Sequence, residues 1–284
     1  MDQANLNKLR QQIAKMEGRP AAQILSNNQI DHFHKADANY NHQSLNNVEF
    51  THFCLGLSEA DEIIKPILRG SLHEIVPAPS HWQAAYGFVL ALILRANKGP
   101  SLQPLIWIED DGILFEYGGL NPYGIIAMGL DPSQLILIRC AHLTDVLKAG
   151  DDALQLKNIS GVVLSLSDSC KALDFTTSRR LHLASEKNNI PAFMLMAKNA
   201  PKTSSAFTRW RIASGQSISS GAMAPGAPFF DVELIRNRSG GIGHWSMEWN
   251  FHDKTFSEPT LSRPLFSIPT NQSDHAFKAK KHAS

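Results

Sequence analysis

The sequence predicts an α/β fold: a mostly parallel sheet flanked by helices, with an antiparallel hairpin extension at its C-terminal side. Three observations carry that expectation. From Leu72 to about Asn250, short apolar runs alternate with helix-patterned stretches at the spacing of strand–helix–strand crossovers. Runs such as Pro104-Leu-Ile-Trp-Ile108 and Gly161-Val-Val-Leu-Ser-Leu166 are largely apolar, as parallel strands covered on both faces must be. After Thr208 the runs alternate strictly instead: Arg209-Trp-Arg-Ile212, Phe229-Phe-Asp-Val-Glu-Leu-Ile-Arg236 and His244-Trp-Ser-Met-Glu-Trp-Asn250, the last two joined by the turn Ser239-Gly-Gly-Ile-Gly243.

Taken in order, Leu72–Val76 is a strand followed by a helix from Trp82, and Pro104–Ile108 is a strand ended by Glu109-Asp110-Asp111-Gly112. A short helix is expected around Tyr123–Leu130, a strand over Gln134–Arg139, and a helix over about Thr144–Lys157. Gly161–Leu166 is a strand, Asp174 is an N-cap for a helix to Asn188, and Ile190–Met196 is a further strand. Trp245, Met247 and Trp249 share a face of the last long strand, opposite His244, Ser246 and Glu248, and are expected in the core.

Four regions are expected: an N-terminal helix over 1–20, a flexible linker over 21–50, the α/β domain over 51–251 and a disordered basic tail over 252–284. In the first, Leu6, Leu9, Ile13 and Met16 recur at three- and four-residue spacing, giving one apolar face that either staples back onto the chain's own core or receives a partner. The linker is rich in Asn, His, Gln and Asp and poor in large aliphatics, so it buries too little to offset chain entropy. Its His32-Phe-His34 lacks partners at metal-ligand spacing. Toward the end of the tail, Lys278, Lys280 and Lys281 stand against a single acid, Asp274, a pattern that fits a segment folding on a partner or a solubilising tail.

The chain has 284 residues, 43% hydrophobic and 19% charged, enough apolar material for one extended domain. Its formal net charge is +1, so any contact with nucleic acid or an anionic surface must be local rather than driven by the whole molecule. Cys54, Cys140 and Cys170 are isolated, which indicates neither a disulfide framework nor a zinc site and fits a reducing cytoplasm. The longest apolar stretch, Ala84–Leu94, falls short of the roughly 20 residues of a membrane span, and no export signal is evident.

The segment Pro77-Ala-Pro-Ser-His-Trp-Gln-Ala-Ala85 lies between a strand and an apolar helix, the place of a phosphate loop. Such a loop needs glycines, a lysine and a magnesium-binding hydroxyl. Here Gln83 stands in register with the lysine and Ala84 with the hydroxyl, while Pro77, Pro79 and Trp82 occupy positions that should be permissive. The strand Gly161–Leu166 offers Ser165 and no carboxylate for a metal. The loop is degenerate, and no cofactor is expected.

With Met128-Gly-Leu-Asp-Pro-Ser-Gln-Leu-Ile-Leu-Ile-Arg139, Thr177-Ser-Arg-Arg-Leu-His-Leu-Ala184 and Thr208-Arg-Trp-Arg-Ile212 added to this order, the chain resembles the ImuA family from about Gly56 to Asn250. The resemblance implies a RecA-like core and an accessory, non-catalytic role in error-prone translesion DNA synthesis during the bacterial SOS response. It also implies an ImuB-type polymerase adaptor as partner, with RecA and an error-prone replicative-type polymerase in the same assembly. DNA contact is then weak or indirect, because Ser167–Leu173 and Ala197–Phe207 are short where RecA carries long DNA-binding loops. In RecA the acid ending the second core strand activates water; Asp111 lies near that position, and with Glu109 and Asp110 it is expected to form a solvated strand end. The SulA family, also RecA-like without a phosphate loop, gives a second reading as a cell-division inhibitor acting on FtsZ. A cryptic ATPase is the third. Basic residues that could contact a partner are Arg209 and Arg211, sharing one strand face around Trp210, and Arg179 and Arg180 near a helix start; Arg236 and Arg238 form a similar pair.

Overall fold

The computed structural model describes residues 51–97, 103–217 and 226–259. The expected N-terminal helix and linker lie outside these residues, as do Leu6, Leu9, Ile13, Met16, Lys278, Lys280 and Lys281. The strands are β1 His52–Phe53, β2 Ile67–Leu68, β3 Leu72–Pro77, β4 Leu105–Asp110, β5 Leu135–Cys140, β6 Gly161–Leu166, β7 Ala192–Met196, β8 Thr208–Ser214, β9 Phe229–Asn237, β10 Gly243–Asn250 and β11 Thr255–Ser257. The helices are α1 Ser58–Ile64, α2 Trp82–Ala96, α3 Asp111–Tyr117, α4 Pro122–Ala127, α5 Leu143–Ala153 and α6 Phe175–Asn188.

Nine of these strands form one sheet in the order β11-β10-β9-β8-β3-β7-β6-β4-β5. From β5 to β8 every pairing is parallel; from β8 to β11 every pairing is antiparallel. The fold is therefore α/β, with a mostly parallel sheet flanked by helices and an antiparallel C-terminal set.

Strand alternation sorts the core into two layers. On β4, Leu105 and Trp107 join the cluster around α2, while Ile106 and Ile108 join the cluster under α5 and α6. On β7, Phe193 and Leu195 go to the first layer and Ala192, Met194 and Met196 to the second. Helix α2 is apolar on nearly every side because its layer continues onto β8, β9 and β10, where Trp210, Phe230, Trp245, Met247 and Trp249 are buried. Helix α5 approaches β6 so closely that a Cβ on Gly150 would lie 2.2 Å from a Leu164 methyl.

Asp174 caps α6 as expected, its carboxylate accepting from the Thr177 amide at 2.7 Å. Other places depart from expectation. Asp111–Tyr117 is helical, started by Asp110, whose side chain accepts from the Gly112 amide. Short α1 was not foreseen; its buried Asp61 accepts from the Leu55 and Gly56 amides, and its last carbonyls receive Asn237 Nδ2 and the Gly241 amide. The expected tail boundary at His252 also moves: β11 pairs with β10 and buries Phe256 against Trp249, Phe88 and Phe230. One phenylalanine in Thr-Phe-Ser is too little pattern to read as a strand, yet its ring is large enough to seal the edge of the α2 layer.

Candidate functional site

Connections leave β4 toward the α2 layer and leave β6 toward the α6 layer, so the C-terminal ends of these adjacent strands flank the crevice where open α/β sheets place ligands. Here the chain itself occupies the crevice. Asp110 accepts from the Gly112 amide at 2.9 Å and from Ser167 Oγ at 2.7 Å through Oδ1, and from the Ser167 amide at 2.7 Å through Oδ2. The contact is tight: a Cβ on Gly112 would sit 2.6 Å from Ser167 Oγ. The carboxylate thus takes amide and hydroxyl donors that an anionic ligand would need.

Glu109 is fully buried and Asp110 nearly so, which overturns the expectation of a solvated strand end. The reason is in the register: Glu109 stands beside Arg139 on β5 and accepts from its Nε at 3.0 Å, which sets a cation against the buried carboxylate. Asp111, the third member, is half-buried in the first turn of α3.

The β3–α2 turn is closed as well. Ala78 O accepts from the His81 amide at 3.0 Å, Pro79 holds the second position, and Ser80 takes a φ of 67° at the third, the pattern of a type II turn. The Ala78 amide is spent on Ile212 O at 2.7 Å, and His81 Nδ1 accepts from the Ser214 amide at 3.0 Å, which ties the turn to β8. Pro77 ends β3. Trp82 points inward, stacks on Tyr117 at 4.7 Å between ring centres and meets Tyr86 edge-on; Tyr86 in turn meets Trp107 edge-on. Gln83 is exposed and donates to Tyr117 O at 3.3 Å, and Ala84 packs half-buried on the α2 layer. Burial pushes the Tyr86 phenol well above its ordinary value, with Glu109 and Asp110 adding to the rise and the nearby Trp82 opposing it.

The loop from β7 to β8 is pinned rather than loose. Asn199 Nδ2 donates to Asp168, Ser178 Oγ accepts from the Ser205 amide, and Arg236 donates to Ser204 O and Lys202 O. Arg209 is committed inside the fold: it is 11% exposed, bridges the buried Glu74 at 2.6 Å and donates to Pro201 O. Arg211 is exposed and pairs with Glu233 at 2.8 Å on β9. The structure therefore separates the two arginines that the strand pattern put together.

Arg179 and Arg180 lie on α6, where it packs beside α5. They line a groove of about 470 Å³ with Asp151, Gln155, Leu183 and Lys187. Arg180 bridges Asp151 at 3.3 Å across the groove. Among the described residues Arg179 and Lys187 have no ion-pair partner. Asp151, Leu183 and Lys187 were not singled out in the sequence; the signal that could find them is the four-residue spacing Arg179, Leu183, Lys187, which puts cation, apolar residue and cation on one helix face.

Among the described residues no group of three His, Cys, Asp or Glu could hold a metal ion, and no helix is long and apolar enough to cross a membrane. Comparison with family models and with curated proteins finds no match.

Proposed function

We propose that this chain is a non-catalytic accessory protein of error-prone translesion synthesis in the bacterial SOS response. In this reading it has a RecA-like core with a degenerate phosphate loop, works in the cytoplasm, and recruits an ImuB-type polymerase adaptor together with RecA and the error-prone polymerase. The observation that carries the reading is the β3–α2 turn. At the position a working phosphate loop would wrap around a triphosphate, the chain makes a four-residue type II turn whose Ala78 and His81 amides bond within the protein. The residue in register with the glycine before the lysine is Trp82, buried under Tyr117, and the lysine and hydroxyl positions are Gln83 and Ala84. An ATP bound there would have its phosphates poorly compensated.

The Asp110 clamp supports the same reading, because it fills the adjacent crevice with a protein carboxylate. So does the pinned β7–β8 loop, which lacks the length and freedom of a filament's DNA-binding loop. What remains for function is surface.

Two measurements test this. Full-length chain should co-purify with an ImuB-type adaptor when both are produced together, and not with FtsZ; capture of FtsZ alone would transfer the chain to the cell-division reading. A fluorescent ATP analogue with magnesium should show no saturable binding at micromolar concentrations, with or without single-stranded DNA. Micromolar, magnesium-dependent binding lost in Gln83→Ala would return the chain to the ATPases.

A further inference from the structure

The α5–α6 groove carries charge of one kind in excess at its open face. Arg179, Leu183 and Lys187 recur at i, i+4 and i+8 along α6, so the two cations stand about 12 Å apart with Leu183 midway. Leu183 is 44% exposed, an apolar side chain at the centre of a polar rim. Arg180 is paired with Asp151, which leaves Arg179, half-buried, and Lys187, exposed, as the cations of the groove with no ion-pair partner among the described residues. The helix dipole accounts for Lys187, in the last turn; it does not account for Arg179, which lies toward the positive end.

From this spacing we infer that the groove docks an acidic amphipathic helix of a partner protein. A partner helix with an acid, an apolar residue and an acid at i, i+4 and i+8 has the same 12 Å repeat, so its carboxylates reach Arg179 and Lys187 while its apolar side chain lies on Leu183. Two neighbouring helices with a groove between them offer a third helix the usual ridge-and-groove seat. A nucleic-acid backbone fits less well: Leu183, exposed between the two cations, would have no apolar counterpart among phosphates and sugars. The inference rests on the scaffold reading above only in taking the partner to be a protein.

The test uses full-length chain and a fluorescein-labelled, Ala-rich helical peptide bearing Glu, Leu and Glu at i, i+4 and i+8, read by fluorescence anisotropy at low salt. Saturable micromolar binding is expected. The double variant Arg179→Glu/Lys187→Glu should weaken it by about tenfold or more, and should gain a matching preference for the same peptide with Lys in place of Glu. Leu183→Asp should weaken both peptides, and Lys202→Glu, on the β7–β8 loop, should change neither. Arg179→Gln/Lys187→Gln supplies the same comparison if the reversed charges disturb folding. Failure of the wild type to bind the Glu peptide overturns the inference, as does equal binding by the charge-reversed variant. A fluorescent single-stranded oligonucleotide that binds through Arg179 and Lys187 where the peptide does not would reassign the groove to nucleic acid. If the adaptor still co-purifies with Arg179→Glu/Lys187→Glu, the groove fails while the scaffold reading stands; a wild-type chain that binds the Glu peptide through Arg179 and Lys187 and does not co-purify with the adaptor gives the opposite result.

Discussion

The seam between β3 and β8 and the groove between α5 and α6 were written in the sequence in the same way, as paired arginines within a few residues of an apolar side chain. The fold treats them differently. On the seam, parallel register sets Arg209 directly beside Glu74 and Thr208 beside His73, so these polar side chains arrive next to their partners. In the groove, α6 offers Arg179, Arg180 and Lys187 to a single lining carboxylate, Asp151. A strand pair fixes partners atom by atom. Two packed helices leave rows of side chains that can pair with something else. The difference teaches that a dibasic phrase has no fixed meaning: its value depends on whether the neighbouring element brings carboxylates to it in register.

The sharpest way to break the comparison is Glu74→Ala. It leaves the Arg209 guanidinium buried without its carboxylate, and loss of one partner of a buried pair costs about 3–5 kcal/mol. Urea denaturation should show that fall. A loss below about 1 kcal/mol would put the seam among ordinary surface pairs, and the contrast with the groove would vanish.

The second effect sharpens it through pH. His73 is enclosed between Thr208 Oγ1 at 2.8 Å and Leu68 O at 3.2 Å, and burial, with His182 nearby, holds its pKa down to about 3 against an ordinary 6.5. The unfolded chain therefore takes up a proton first as pH falls. The stability that neutral His73 represents is full above about pH 6.5 and is lost as pH drops toward 3. Between about pH 7.5 and about pH 5 the expected loss is about 2 kcal/mol. Denaturation at the two pH values should show it, and His73→Gln should flatten the difference. An unchanged pH dependence in that variant would mean that the seam's histidine is not the group responsible.

Much of the architecture was legible because period and length are strong signals: the parallel strands, the all-round apolar α2, the Asp174 cap and the inward face of Trp245, Met247 and Trp249 could all be read. Short α1 and β11 were not, because each is specified by ties or anchors made far away in sequence, the last carbonyls of α1 to Asn237 and Gly241 and Phe256 to the α2 layer. The acidic end of β4 was misread for a related reason. Charge in a row suggests water, and only the register with Arg139 and the return of Ser167 show that Glu109 and Asp110 find donors inside. One clue was available: Glu74 lies in Leu72-His-Glu-Ile-Val76, a strand with little solvent face, so its carboxyl needed a donor inside the fold. The groove was half legible. Its arginines stood out, whereas Asp151 and Lys187 became relevant once α5 and α6 were side by side.

The smallest expected effect on stability is also the one that separates a docking groove from a structural joint. Asp151→Ala removes an exposed bridge to Arg180, whose side chain is 55% exposed, and exposed pairs are worth about 0–1 kcal/mol. Thermal or urea unfolding should therefore move by about 0.5 kcal/mol or less. The same substitution releases Arg180 and withdraws the acid lining the groove, so affinity for the Glu-bearing helical peptide should rise by about two- to fivefold at low salt and the gain should shrink as salt is added. A structural joint gives the reverse pair of results, a stability loss above about 1.5 kcal/mol with no change in peptide affinity, because the bridge would then be holding α5 to α6 rather than balancing charge in a surface open to a partner.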